Sequence, residues 1–97
     1  MNIQAMMAQA RKIQGEIEKG TKEIESTIYK YENDNILIET SGKNEVKRIE
    51  IKNDDILADK ELLADILTVG INNTLEQVKK DKNSKLGKYT NGLGGLF

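Results

Sequence analysis

Asp59–Lys88, DKELLADILTVGINNTLEQVKKDKNSKLGK, is the stretch whose reading decides the fold. Its apolar positions recur in steps of four: Leu62/Leu63, Ile66/Leu67, Gly70/Ile71, Thr74/Leu75 and then Val78. At 3.6 residues per turn they share one broad face of a helix. The face stops at Val78, and lysines follow at Lys79, Lys80, Lys82, Lys85 and Lys88. The pattern predicts a single helix with two roles, a core-forming N-terminal half and a C-terminal half that carries basic side chains into solvent. Asp59 suits the N-cap, and Glu61 in the first turn complements the helix dipole. Leu63, Ile66, Leu67, Ile71, Leu75 and Val78 are expected to be buried, and Gly70 among them predicts close approach of another element.

The element that this helix must cover lies just upstream. Thr27–Tyr31 and Ile36–Thr40 read as strands, separated by Asn33-Asp34-Asn35, whose side chains favour a turn. Ser41-Gly42-Lys43-Asn44 reads as a second hairpin connection, with Gly42 free to take positive φ. Val46–Lys52 alternates, with Ile49 and Ile51 on one face and Arg48, Glu50 and Lys52 on the other. Ile56-Leu57 fits a short helical turn before Asp59. Further upstream, Ile3, Met6/Met7, Ala10, Ile13, Ile17 and Ile24 make a thin apolar seam on a first long helix. Gly15 and Gly20 weaken that helix, so it needs a partner along Ile13, Ile17 and Ile24.

The expected fold is therefore α+β, in the order α-β-β-β-α, with a three-stranded antiparallel meander between two long flanking helices. A single domain spans 1–97, with a helix over 1–26, the sheet over 27–52, the long helix over 59–88 and a glycine-rich, mobile tail over 89–97. With 37% hydrophobic and 32% charged residues among 97, the core is small, and a second copy is one way to complete it. The absence of Cys and His excludes disulfides, thiol nucleophiles and imidazole metal ligands. No run approaches the roughly 18 apolar residues of a membrane span, and the N-terminus lacks a signal-peptide pattern. The expectation is a soluble cytoplasmic protein.

Charge is segregated along the chain. Residues 31–68 hold ten acids and five bases, whereas Glu76–Lys88 holds five lysines against Glu76 and Asp81. The lysine cluster suits sequence-tolerant contact with phosphates, although Lys at a helix C-terminus also simply complements the dipole. Arg11, Lys12, Lys19 and Lys22 are weaker candidates, since Lys12/Glu16 and Lys19/Glu23 match ordinary surface pairing. Asp54, Asp55 and Asp59 lack calcium-loop spacing and fit turn and cap roles. Glu39, Glu45 and Glu50 sit on strand positions facing solvent, with no pocket to shift a pKa. Gly92-Leu93-Gly94-Gly95 follows no strand and opens no helix, so it is no phosphate loop. Tyr29 and Tyr31 on one strand face read as sheet packing. No catalytic site, metal, cofactor or small-molecule substrate is expected.

Several segments resemble the bacterial YbaB/EbfC nucleoid-associated family. Met6-Met7-Ala8-Gln9-Ala10-Arg11-Lys12-Ile13-Gln14 resembles its opening helix, and Asn44–Ile51 is similar to its third strand. Asp59–Leu67 resembles the start of its long helix, and Leu86–Leu93 its closing helix and Gly-Leu tail. Two departures stand out. Glu32-Asn33-Asp34-Asn35 replaces a Gly-rich hairpin, and Gly70-Ile71-Asn72-Asn73-Thr74 replaces an Ala-x-Asn-Asp-Ala pattern. The resemblance implies a tweezer-like homodimer that binds double-stranded DNA in the nucleoid. The DNA-binding residues would be Lys79, Lys80, Lys82, Lys85 and Lys88, assisted by Arg11, Lys12, Lys19 and Lys22 if the first helix lies beside them. The alternative is a dimeric protein-interaction adaptor of the same fold that does not bind DNA.

Overall fold

A computed structural model describes residues 2–92, with side chains through Tyr89. Helix α1 spans Ile3–Glu25, followed by strands β1 (Ile28–Glu32), β2 (Ile36–Ser41) and β3 (Val46–Ile51). A 3₁₀ turn at Asp54–Ala58 leads into helix α2, Lys60–Gly92. The sheet is an antiparallel meander in the order β1-β2-β3. This is the expected α-β-β-β-α arrangement. The last four residues of α2, Tyr89–Gly92, belong to the helix rather than to the expected mobile tail; residues 93–97 lie outside the described residues.

Local side chains set the element boundaries. Asn2 caps α1, its Oδ1 accepting from the Ala5 N–H at 3.2 Å. Asp59 caps α2 in the same way, accepting from the Leu62 N–H at 3.0 Å. Asn53 caps the 3₁₀ turn through the Asp55 N–H. In the first hairpin, Asn33 Oδ1 accepts from the N–H groups of Asn35 and Ile36 at 2.9 and 3.0 Å, closing the turn without glycine. The second hairpin corrects the reading of Gly42. The left-handed residue there is Asn44, with φ 63°. Gly42 is instead required by crowding, because a Cβ on it would lie 1.8 Å from the carbonyl oxygen of Ile24.

The inner face of the sheet is built by register. Tyr29 lies opposite Thr40 and Tyr31 opposite Ile38, while Ile38 and Ile36 lie opposite Ile49 and Ile51 of β3. Ile36, Ile38 and Thr40 are completely buried. Helix α2 packs on β1 and β2 through Gly70, Thr74 and Val78, the buried residues of its sheet-facing side. The approach at Gly70 is close, since a Cβ there would meet Ile38 Cδ1 at 2.5 Å and Tyr31 Cδ1 at 2.9 Å. Of the six α2 residues expected to be buried, only Val78 is; Leu63, Ile66, Leu67, Ile71 and Leu75 are half-buried. The cause is the narrow contact: Gly70, Thr74 and Val78 form one i, i+4 strip against β1 and β2, and a three-stranded sheet is too narrow to cover the apolar residues that flank it.

Beyond the sheet, α2 meets α1 running antiparallel to it. Ile24 packs with Val78 and Tyr29, Leu86 lies against Gly20, and the Tyr89 hydroxyl donates to Glu16 at 2.7 Å. The α1 seam thus finds its partner at Ile17 and Ile24 in its own chain. Gly20 is not merely a weak point, because a Cβ there would sit 2.9 Å from Leu86 Cδ2. The result is a rod of 69 × 21 × 16 Å.

The buried Thr40 and Thr74 hydroxyls, 2.7 Å apart, hold α2 to β2. Thr74 donates to the Ile71 carbonyl at 2.8 Å, which leaves Thr40 as the donor to Thr74. Thr74→Val strands the Thr40 hydroxyl and is expected to lower unfolding stability by about 1–3 kcal/mol. Adding Thr40→Val should recover most of that loss, because both polar groups are then gone. Urea denaturation of the two single variants and the double checks the cycle; simply additive losses would contradict the assigned chain of donors.

Candidate nucleic-acid interface

The nine basic residues singled out in the sequence are all exposed, and the structure divides them into two rows. On α1, Lys12, Lys19 and Lys22 fall on the side opposite Ile13, Ile17 and Ile24, the residues that turn towards α2. Lys19 and Lys22 flank a shallow groove with Gly15, Glu18 and Ser26. On α2, Lys79 and Lys80 lie away from the sheet, while Lys82 borders the α1 contact beside Thr21 and Leu86. Helix α1 does lie beside α2, but its basic row points away from the α2 lysines. The two rows are separate surfaces of one rod.

Pairing distinguishes these bases from those of the second hairpin and β3. Around the sheet, Lys43, Lys47, Arg48 and Lys52 each contact a glutamate, with Arg48 bridging Glu39 and Glu50 at 3.2 and 3.0 Å. Among the described residues, Arg11, Lys12, Lys19, Lys22, Lys79, Lys80 and Lys82 take no such carboxylate partner. Lys85 does, at 3.1 Å from Asp81, and Lys88 sits 5.0 Å over the Tyr89 ring. Most of these helix bases thus stand outside ion pairs among the described residues, whereas four bases of the second hairpin and β3 stand within them; Lys30 of β1 is unpaired like the helix bases.

Asp81 is the acid inside the lysine cluster, and its surroundings explain it. The Tyr29 hydroxyl donates to its Oδ2 at 2.5 Å, and Lys85 donates to the same oxygen. The Tyr29 bond, and then Lys85, hold the Asp81 carboxyl below its ordinary value. Burial, then the Asp81 bond and charge, push the Tyr29 phenol up to about 12. This link ties the start of the basic segment to the edge of the sheet. Sequence reading missed Asp81 and Tyr29 as partners because they stand 52 positions apart. The one local signal was an acid four residues before Lys85.

Comparison with known proteins now bears on this geometry. Residues 1–93 match the YbaB/EbfC DNA-binding family. The chain belongs to that family. Among its relatives, a nucleoid-associated protein from Lactococcus lactis subsp. lactis is 40% identical over 96 residues, covering 96% of this chain and 97% of the relative. One from Ruminiclostridium cellulolyticum is 34% identical over 98 residues, covering 98% and 85%. No solved structure matches significantly. Within this YbaB/EbfC chain, the departure at Gly70–Thr74 falls on the helix–sheet contact, where Gly70 admits Ile38 and Thr74 bonds Thr40. Asn73 accepts from Gln77 Nε2 at 2.7 Å, and that amide also donates to the Lys30 carbonyl at 2.8 Å. The only duty of residue 73 in these bonds is to accept, so an amide oxygen serves where an acid stands in the resembling pattern.

Tyr29→Phe removes the bond to Asp81 and is expected to cost about 1.5–3 kcal/mol of stability at neutral pH. A carboxyl held low when folded contributes above its unfolded value near 4, and loses that contribution as pH falls through the folded one. A phenol held high contributes below its unfolded value and loses it as pH rises towards 12. The gap between wild type and Tyr29→Phe should therefore be flat from about pH 5 to 9 and narrow on both sides. Denaturation midpoints at stepped pH test this, and a gap indifferent to pH would remove the Asp81 charge from the account.

Proposed function

We propose that this chain is a nucleoid-associated protein of the bacterial cytoplasm that binds double-stranded DNA as a homodimer. Backbone phosphates are contacted by Lys79, Lys80 and Lys82, with Lys85 and Lys88 as flanking contacts. Arg11, Lys12, Lys19 and Lys22 supply a second row from the outer side of α1. The observation that carries the reading is the set of exposed helix bases, Lys79, Lys80 and Lys82 with Arg11, Lys12, Lys19 and Lys22, that take no carboxylate partner among the described residues, where Lys43, Lys47, Arg48 and Lys52 each do. Membership of a DNA-binding family and the nucleoid-associated names of its relatives support the same polyanion.

An acidic net charge does not oppose this. The chain carries −1 overall, but its acids Asp54, Asp55, Asp59, Glu61 and Asp65 gather at the start of α2, remote from the lysines. Salt screens charge over about 8 Å under physiological conditions, so the basic end meets DNA with little interference from the acidic one. Lysine offers a compact charge without a fixed fork, which suits low sequence specificity. Apolar surface that one copy leaves bare supports the dimer reading. Helix α2 covers β1 and β2 but leaves Val46 and Ile49 of β3 exposed, along with Leu57, Leu62 and Val69. A second copy covers these groups and doubles the number of basic rows, giving the tweezer-like arrangement.

Duplex DNA binding should fall steeply with salt. With four to six phosphates neutralised, the slope of log K against log salt is expected at roughly −3.6 to −5.4. Replacing Lys79, Lys80 and Lys82 together by Ala should flatten it by roughly 2.7 while sedimentation still reports a dimer. Fluorescence anisotropy over a salt series makes the measurement. Binding that ignores salt would exclude phosphate contact, and a dimer with no affinity for DNA would leave the adaptor reading.

A further inference from the structure

The apolar seam of α1 extends past the helix that covers it. Its residues follow the three-four spacing of a heptad, Ile3, Met6, Ala10, Ile13 and Ile17. From Ile17 towards the sheet, its partner is α2 of the same chain. Leu86 meets Gly20 and Tyr89 bonds Glu16, so the antiparallel α2, described to Gly92, reaches about the level of Ile13. Beyond that level the seam has no cover among the described residues. Met6, Ala10 and Ile13 line an open apolar groove with Gln9 and Gln14, and Ile3 and Met6 are 70 and 57% exposed. The groove prolongs the α1–α2 interface, and a helix in line with α2 fills it.

We propose that Ile3–Ile13 of α1 pairs antiparallel with the same segment of another copy, joining two rods pole to pole. Direction is set by α2. A parallel α1 would run back into α2, which already occupies that side of the seam, whereas an antiparallel one runs away from it. Register is set in the same way, because the incoming helix, capped at its start by Asn2, advances until it meets α2 near Ile13. The overlap is then Ile3–Ile13 of both copies, about 16 Å long. At that register the side chains are complementary. Ile3 faces the partner's Ile13, and the long Met6 faces the partner's small Ala10, each pair occurring twice about the two-fold axis. Gln9 meets its counterpart along one margin and Met7 along the other, so neither margin brings like charges together. Arg11 and Lys12 lie off the seam and stay in solvent. Val46, Ile49 and Leu62, on the sheet and the start of α2, lie towards the opposite end of the rod. The copy that covers them is therefore a different one, and dimers become linked into tetramers or longer chains. An overlap of about three turns belongs with weak, transient interfaces, so it acts between copies already held close together, as on one duplex.

The chain contains no cysteine, so introduced cysteines report the contact directly. Full-length Met6→Cys and Ala10→Cys chains, one isotopically labelled so that products differ in mass, are mixed and oxidised in a glutathione buffer. The mixed disulfide between positions 6 and 10 should exceed its statistical share over the two symmetric products. Ala8→Cys, exposed on the opposite side of the helix, should give no such excess with either chain. Ile3→Asp added to both chains should return the mixed product to the Ala8→Cys level. Circular dichroism should show an intact fold, since Ile3 is exposed and an acid suits the first turn of a helix. Yields no higher than those of Ala8→Cys overturn the proposal. Predominance of the symmetric products also overturns it, because bonds between like positions report parallel pairing. The readout is independent of the sheet-side dimer. If that dimer fails, the same mixed disulfide joins monomers, so the two readings fall separately.

Discussion

The close crossing of α2 over the sheet at Gly70 governs the remainder of the structure. Without a side chain at that position, the helix settles directly on Ile38 and Tyr31, and the next turns bring Thr74 to Thr40 and Val78 to Ile24 and Tyr29. Burial of apolar groups in that strip supplies the main driving force, and the threonine pair fixes position along the helix axis. A larger residue at 70 would lift the helix and loosen the contacts beyond it. The position of the basic segment is thus decided some ten residues before the first lysine.

From that crossing, helix length does the rest. The sheet is too short to engage the whole of α2, so the C-terminal half projects and takes α1 as its partner. Tyr29 to Asp81 closes the junction at the sheet, and Tyr89 to Glu16 closes it further out. Between them the lysines stand on a rigid support rather than a loop. Rigid placement matters for a polyanion, because charges that need no ordering on contact lose less entropy in binding.

Much of this was legible in the residues themselves. Alternation located β3, the Asn33 and Asp59 side chains marked a turn and a cap, and the break at Val78 marked where α2 leaves the core. Other features were not legible, for reasons that are physical. Gly42 reads as a turn glycine from its neighbours, yet it is demanded by the Ile24 carbonyl, 18 positions away in sequence. Half-burial of Leu63, Ile66, Leu67, Ile71 and Leu75 reflects the width of the sheet, which periodicity does not encode. The direction of the α1 basic row follows from which side of the helix meets α2. Only when Ile17 and Ile24 are seen to turn inward does it become clear that Lys12, Lys19 and Lys22 turn outward.

The antiparallel closure of α1 on α2 also brings the N-terminal end of α1 and the C-terminal end of α2 to one pole of the rod. A fluorescent protein or affinity tag joined before α1 or after α2 would start from that pole, beside the lysine-bearing end of α2. The hairpin at Asn33–Asn35 is exposed or half-exposed, is closed by its own asparagine, and belongs to the sheet. That turn is the natural place to carry a reporter, because a label there leaves both basic rows and their pole unencumbered.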